Sequence, residues 1–195
     1  FLNLPAEPSD LELEWARGVA NDLPTSFVVL NTHGYLHPEG VIRPEDAAVL
    51  NQLVRLCPNI HLTNNGHYHG QARLTGCLGT RLIASQVVDY QDDSHGGYGF
   101  LRVLKFRPRL GRIEATSYSP YLDEHKTDGA NAFNLEQVFR TPVVISHQED
   151  IASPATGLQA TWSSIESGKS YMWWVVVTDA DGRQEQSPVR HFTVS

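Results

Sequence analysis

Charge is sparse in this 195-residue chain. Only 19% of residues are Asp, Glu, Lys or Arg, and the balance is acidic, 22 against 15, for a net charge of -7. A phosphate-backbone binder presents a basic surplus on one face, so no nucleic-acid surface is expected. Long apolar runs are lacking too. The longest is Tyr171 to Val177, far short of the roughly 20 residues of a membrane helix, so no membrane span is expected. Cysteine is limited to Cys57 and Cys77, too few for a disulfide scaffold. A bridge between them, pointing to an oxidising compartment, and two buried thiols both stay open. There is no Asn-x-Ser/Thr, Gly-x-Ser-x-Gly, Walker-type or Cys-x-x-Cys motif. With neither an initiator Met nor a leader pattern, the chain reads as a piece of something longer.

What is present divides into two parts. Ser9 with Glu12 makes a capping box and starts a helix over 9–22, with Leu11, Trp15 and Val19 on one face. Phe27 to Asn31 is a short apolar strand that runs into Thr32-His33-Gly34. A second helix starts at Pro44, with Leu50, Leu53, Val54 and Cys57 as its buried stripe. Ile60 to Asn64 is a second strand, leading into Gly66-His67-Tyr68-His69-Gly70. Helix–strand–helix–strand order predicts an α/β layering. From about residue 72 the pattern turns to β: a strand over 81–88, and a hairpin of 100–106 with 112–118 around Pro108 and Gly111. Residues 123–142 read as a linker closing a first domain of 1–142. A small all-β domain of 143–195 follows, with strands at 158–162, 171–178 and 189–194 and a turn at Asp179-Ala180-Asp181-Gly182.

Histidine is the informative residue. Five of nine lie between positions 33 and 69. In an open α/β sheet, ligands bind beyond the carboxyl ends of strands, where His33, His67 and His69 all fall. Imidazole suits Zn-, Fe- and Mn-type centres. Chance accounts for roughly 0.03 Gly-His-x-His strings per chain of this composition. A lone strand-end histidine such as His33 is more often a surface or a satisfied core residue. For His37, His61, His95, His125, His147 and His191 that bland reading prevails. Asp92-Asp93-Ser94-His95 reads as a solvated loop, and Asp179-x-Asp181-Gly182 as a plain turn.

Thr32-His33 after a strand, then Asn65-Gly66-His67-Tyr68-His69-Gly70, resembles the C-terminal half of a calcineurin-like metallophosphoesterase, of a secreted bacterial branch. Gly97-Tyr98-Gly99-Phe100-Leu101-Arg102 and Thr116 to Leu122 extend the likeness over about residues 1–135. The resemblance implies half of an α/β/β/α sandwich and two divalent metal ions of the Zn, Fe or Mn class. It makes His33, His67 and His69 metal ligands, and phosphate esters the substrate. No catalytic residue is assigned. The family's early motifs, Asp-x-His, Gly-Asp and Gly-Asn-His-Asp/Glu, would precede residue 1, so the chain alone is expected to be inactive. It is expected to pair with a missing N-terminal half or an assembly partner, which would cover the strand at Phe27 to Leu30. An extracellular or periplasmic location is implied. The other reading is a non-catalytic structural or interaction protein that keeps the scaffold. In the tail, Ile165-x-x-Gly168-x-x-Tyr171 resembles the tyrosine corner of a fibronectin type III or immunoglobulin-like module.

Overall fold

Ser9 does cap the first helix. Its hydroxyl accepts the Glu12 N–H, and its own N–H donates to the Glu12 carboxylate at 2.8 Å, so two end donors are satisfied reciprocally. Helix α1 spans Asp10–Asn21. The buried face is not the expected one. Leu13, Ala16 and Ala20 are buried, whereas Leu11 and Trp15 are 77% and 58% exposed. Two alanines let the backbone approach the sheet closely, and the larger residues are left outside.

The coordinates are a computed structural model that describes residues 1–78, 81–137, 139, 148, 157 and 159–195. The chain divides into two compact units, Phe1–Thr141 and Pro142–Ser195.

In the first unit, strands β1 (Leu2–Asn3), β2 (Val28–Thr32), β3 (Ile60–Asn65), β4 (Gly70–Leu78) and β5 (Arg81–Asp89) form one sheet. Its order is β1-β2-β3-β5-β4. The first four in that order run parallel, and β4 is an antiparallel edge. Between β2 and β3 the expected helix breaks into a 3₁₀ turn (Pro44–Asp46), a single turn α2 (Ala47–Val49) and a π-helical turn (Leu50–Val54). Arg81, only 6% exposed, closes this segment. Its guanidinium donates to the carbonyls of Cys57 and of Val54, the latter at 2.7 Å. A cation there also suits the negative end of the helical turns.

The second sheet contains β6 (Leu101–Arg107), β7 (Arg112–Ser119), β8 (Glu124–Lys126) and β9 (Phe133–Glu136). Strand β7 pairs with β6 on one side and with β8 and β9 in succession on the other. The stretch expected to be a linker therefore supplies two strands, and Leu135 is fully buried. Polar side chains such as Glu124, His125 and Asn134 hid them, because a strand of three or four residues carries too little alternation to register. Residues 138 and 140–142 of that stretch lie outside the described set.

Two cores result. Leu13, Ala16, Leu30, Leu53, Val54 and Val87 pack helical turns on one face of the first sheet. Val29, Leu62 and Ala84 on the other face meet Ile113 and Leu135 of the second sheet, and no helical residue takes part. Val28, Val29 and Leu30 are buried within the chain itself, contrary to the expectation that this strand awaits a partner. The expected α/β class is also corrected. Among the described residues the chain is 38% strand and 17% helix, with several small sheets and three short helices, and these do not form an α/β sandwich. The second helix fragments and residues 70–136 supply six strands, which moves the balance to β.

The second unit holds β10 (Ser170–Trp173) paired with β13 (Arg190–Thr193), and β11 (Val176–Thr178) paired with β12 (Gln184–Gln186). The single strand expected over 171–178 is thus two. Of the strand expected at 158–162, Leu158 lies outside the described residues and Gln159 to Trp162 are not strand. Trp162, Tyr171 and Phe192 pack their rings together. The Tyr171 hydroxyl accepts the Glu166 N–H at 2.8 Å. Asp179 Oδ1 accepts the N–H groups of Asp181 and Arg183, forming a plain turn.

Candidate functional site

Strands β2, β3 and β5 run parallel, and their carboxyl ends deliver Thr32-His33, Asn65-Gly66-His67 and Asp89 to one edge of the first sheet. The His33 and His67 rings lie 4.4 Å apart, centroid to centroid. Both residues are exposed, and His67 holds a left-handed φ of 64°. His69 is engaged differently. Its Nδ1 pairs with Asp92 Oδ2 at 2.5 Å, and its Nε2 meets the Gln91 side-chain amide. The structure therefore brings His33 and His67 together and turns His69 toward the loop after β5. Among the described residues, no three His, Cys, Asp or Glu side chains form a group arranged to hold a metal ion.

What fixes the histidine loop is a polar cluster that the sequence reading passed over. His37 is buried. Its Nε2 lies 2.8 Å from Asp46 Oδ2, and its ring stacks on Tyr68 at 3.6 Å. The Tyr68 hydroxyl donates to the same carboxylate at 2.9 and 3.1 Å. Burial and this bond to Asp46 push the Tyr68 phenol up to about 12. Tyr68 thus pins the centre of Gly66 to Gly70 and leaves its two flanking histidines outward. At Gly34 a Cβ would stand 3.1 Å from both the Asp46 carboxylate and the Tyr68 hydroxyl. Asn65 adds a second tie, its amide exchanging two 3.0 Å hydrogen bonds with the Leu36 backbone. The only advance signal for His37 is its place after Tyr35-Leu36, an apolar pair that must go inside.

Other histidines do local work, and His147 lies outside the described residues. His61 stacks on Phe27 and meets the Leu82 carbonyl, and burial pushes its pKa down. His95 and Tyr98 sit in a run from His95 to Gly99 in which every φ is positive. A Cβ on Gly97 there would come within 2.5 Å of the Tyr90 carbonyl oxygen. In the same loop Asp93 pairs with Lys126 at 2.5 Å. No disulfide joins Cys57 to Cys77.

Beside the histidines is a cleft of about 550 Å³, lined among others by Asn64, Gln86, Asp89, Tyr90, Phe100 and Arg102. A row of amides crosses the sheet at this level. Asn31 donates to Asn3 at 2.8 Å, Asn64 to Asn31 at 2.9 Å, and Gln86 to Asn64 at 2.8 Å. These residues are register partners in adjacent strands. Arg102 of β6 donates to Gln86 Oε1 at 3.2 Å and joins the row to the second sheet.

No protein family matches the chain, and no solved structure matches it. It is similar to the Uncharacterized protein YvnB of Bacillus subtilis (strain 168), 24% identical over 213 residues. The alignment covers 94% of this chain and 16% of that protein, so the chain spans about one-sixth of this relative's length.

Proposed function

We propose that this chain contributes histidine ligands, His33 and His67 with His69, to a divalent-metal centre in a protein that hydrolyses phosphate esters. The observation that carries the reading is the His33–His67 pair, two exposed imidazoles 4.4 Å apart at the ends of adjacent parallel strands. Imidazole fits a Zn-, Fe- or Mn-class ion. The residues present fit such a centre only in part. Two rings converge, while both nitrogens of His69 are taken by Asp92 and Gln91. Phosphoester hydrolysis of this kind uses two ions about 3.5–4 Å apart, more than three histidines hold. The chemistry therefore belongs to the intact protein. Within this chain, Tyr68, Asp46 and His37 position the loop that bears His67 and His69. The occupied His69 favours the second reading, a scaffold without chemistry.

The test is Co²⁺ and Zn²⁺ titration of the 195-residue chain, followed by visible absorption and by histidine ring nitrogen shifts. Saturable binding that His33→Ala and His67→Ala each weaken at least about tenfold supports the reading. Binding that survives both substitutions, or no binding at all, removes it. Hydrolysis of chromogenic mono- and diesters by a longer protein containing this chain, lost in His67→Ala, then tests the reaction.

A further inference from the structure

The cleft beside the histidines has its own chemistry, set by Arg102. The guanidinium is held on all sides. Nε donates to Ser117 Oγ at 2.9 Å, and one terminal nitrogen donates to Gln86 Oε1 at 3.2 Å. The other terminal nitrogen donates to the Ala130 carbonyl at 2.9 Å and the Tyr90 hydroxyl at 3.4 Å. Each of these acceptors is neutral. Among the described residues no carboxylate stands within ion-pairing distance of Arg102. The one carboxylate among the lining residues, Asp89, accepts the Gln91 N–H and lies beside Gly66. A second guanidinium, Arg73, stacks on the same Phe133 ring as Arg102, at 4.4 and 4.9 Å. Arg102 therefore stands in the cleft as a cation fixed in orientation and without an ion-pair partner among the described residues, with Asp89 as the one negative group in the same lining.

Arg102 also determines what the amides present. A guanidinium only donates, so Gln86 must turn its oxygen toward Arg102 and its NH₂ toward Asn64. The Asn64 oxygen is then consumed by Gln86, and its NH₂ turns toward Asn31. Along the cleft, both amide oxygens are used. One N–H remains on each of Asn64 and Gln86, and one on the Arg102 nitrogen that meets Gln86. Asn64, Gln86 and Arg102 line the cleft together, Gln86 itself being buried, with Phe100, Leu101 and Leu104 as its apolar part. Such a surface suits an anion with several acceptor oxygens, because charge-assisted hydrogen bonds are the strong ones.

We propose that this cleft is an oxyanion-binding site in which Arg102, Gln86 and Asn64 hold a phosphate group, either free or as part of an ester. The site does not depend on the histidine pair or on any metal ion. Its test is a titration of the chelator-treated 195-residue chain with inorganic phosphate, read from the side-chain NH₂ signals of Asn64 and Gln86 and the Nε–H of Arg102. Saturable shifts at all three are expected, weakened about tenfold or more in Arg102→Gln. Phenyl phosphate distinguishes the sources. Tighter binding with new shifts at the Phe100 ring assigns an ester, and equal binding assigns the free ion. Absent shifts in the unsubstituted protein overturn the proposal without any variant having to fold. So do equal affinity for acetate, or undiminished binding in a folded Arg102→Gln. Because chelator is present throughout, failure here leaves the metal reading untouched.

Discussion

Tyr68→Phe removes one hydroxyl from the cluster that fixes the histidine loop and leaves the rest in place. The ring can still stack on His37 at 3.6 Å, and Asp46 keeps its 2.8 Å contact with His37 Nε2. What is lost is a single hydrogen bond to a carboxylate. Bonds to charged groups contribute about 1.5–3 kcal/mol, and water reaching the partly exposed carboxylate offsets part of that. A net loss of about 1–2 kcal/mol follows, or a fall in Tm of about 3–6 °C for a chain of this size. The pH dependence identifies the bond. Because the phenol is pushed up to about 12 in the fold, against about 10 unfolded, the folded state favours the neutral form. That stabilisation is complete below pH ~10 and is lost as pH rises through about 12. Thermal melts of both proteins from pH 7 to 12 should therefore show a gap that narrows above pH ~10. A gap that stays constant with pH, or Tyr68→Phe as stable as the parent at pH 7, refutes the argument.

Three further outcomes are expected. Arg81→Met removes the guanidinium donor from the Val54 carbonyl and leaves the Cys57 carbonyl with the Ile60 N–H alone, and should cost about 1–3 kcal/mol in denaturant unfolding, less the relief of a buried charge; Arg81→Lys should cost less. Gly97→Ala must place a Cβ 2.5 Å from the Tyr90 oxygen at a φ of +81°, so it should destabilise by about 2 kcal/mol or more, read by thermal melt. Leu13→Ala should cost about 2–5 kcal/mol, while Trp15→Ala changes stability by less than about 0.5 kcal/mol; equal effects would contradict the face that α1 buries.

How far the sequence reaches is clear from individual residues. The capping box at Ser9 and Glu12 is a local device, readable because both partners are three residues apart. The pairing of His33 with His67 was legible because both follow apolar strands. The face of α1 was not, since helical periodicity counts large apolar residues and the sheet selected Ala16 and Ala20. Strands β8 and β9 were missed because Glu124 to Lys126 are all polar and Phe133 to Glu136 are only four residues, and β4 because its alternation from Gln71 to Thr75 is short and bounded by Gly70 and Gly76. The clusters around Asp46 and Arg102 join residues 9 to 28 positions apart, through loop paths and strand registers that no local pattern encodes.

Asn3, Asn31, Asn64 and Gln86 each have two nearly isosteric orientations, related by a half-turn of the amide. Left to themselves, four such groups have sixteen arrangements, and selecting one costs roughly 1.6 kcal/mol of entropy at room temperature. They are not independent. Reversing any one amide sets N–H against N–H or oxygen against oxygen, so the row can only turn over as a whole, and the donor-only guanidinium of Arg102 forbids that at its end. One side chain in the second sheet thereby removes the degeneracy of four in the first. The orientation of Asn3, at the opposite edge of that sheet, is a property of β6.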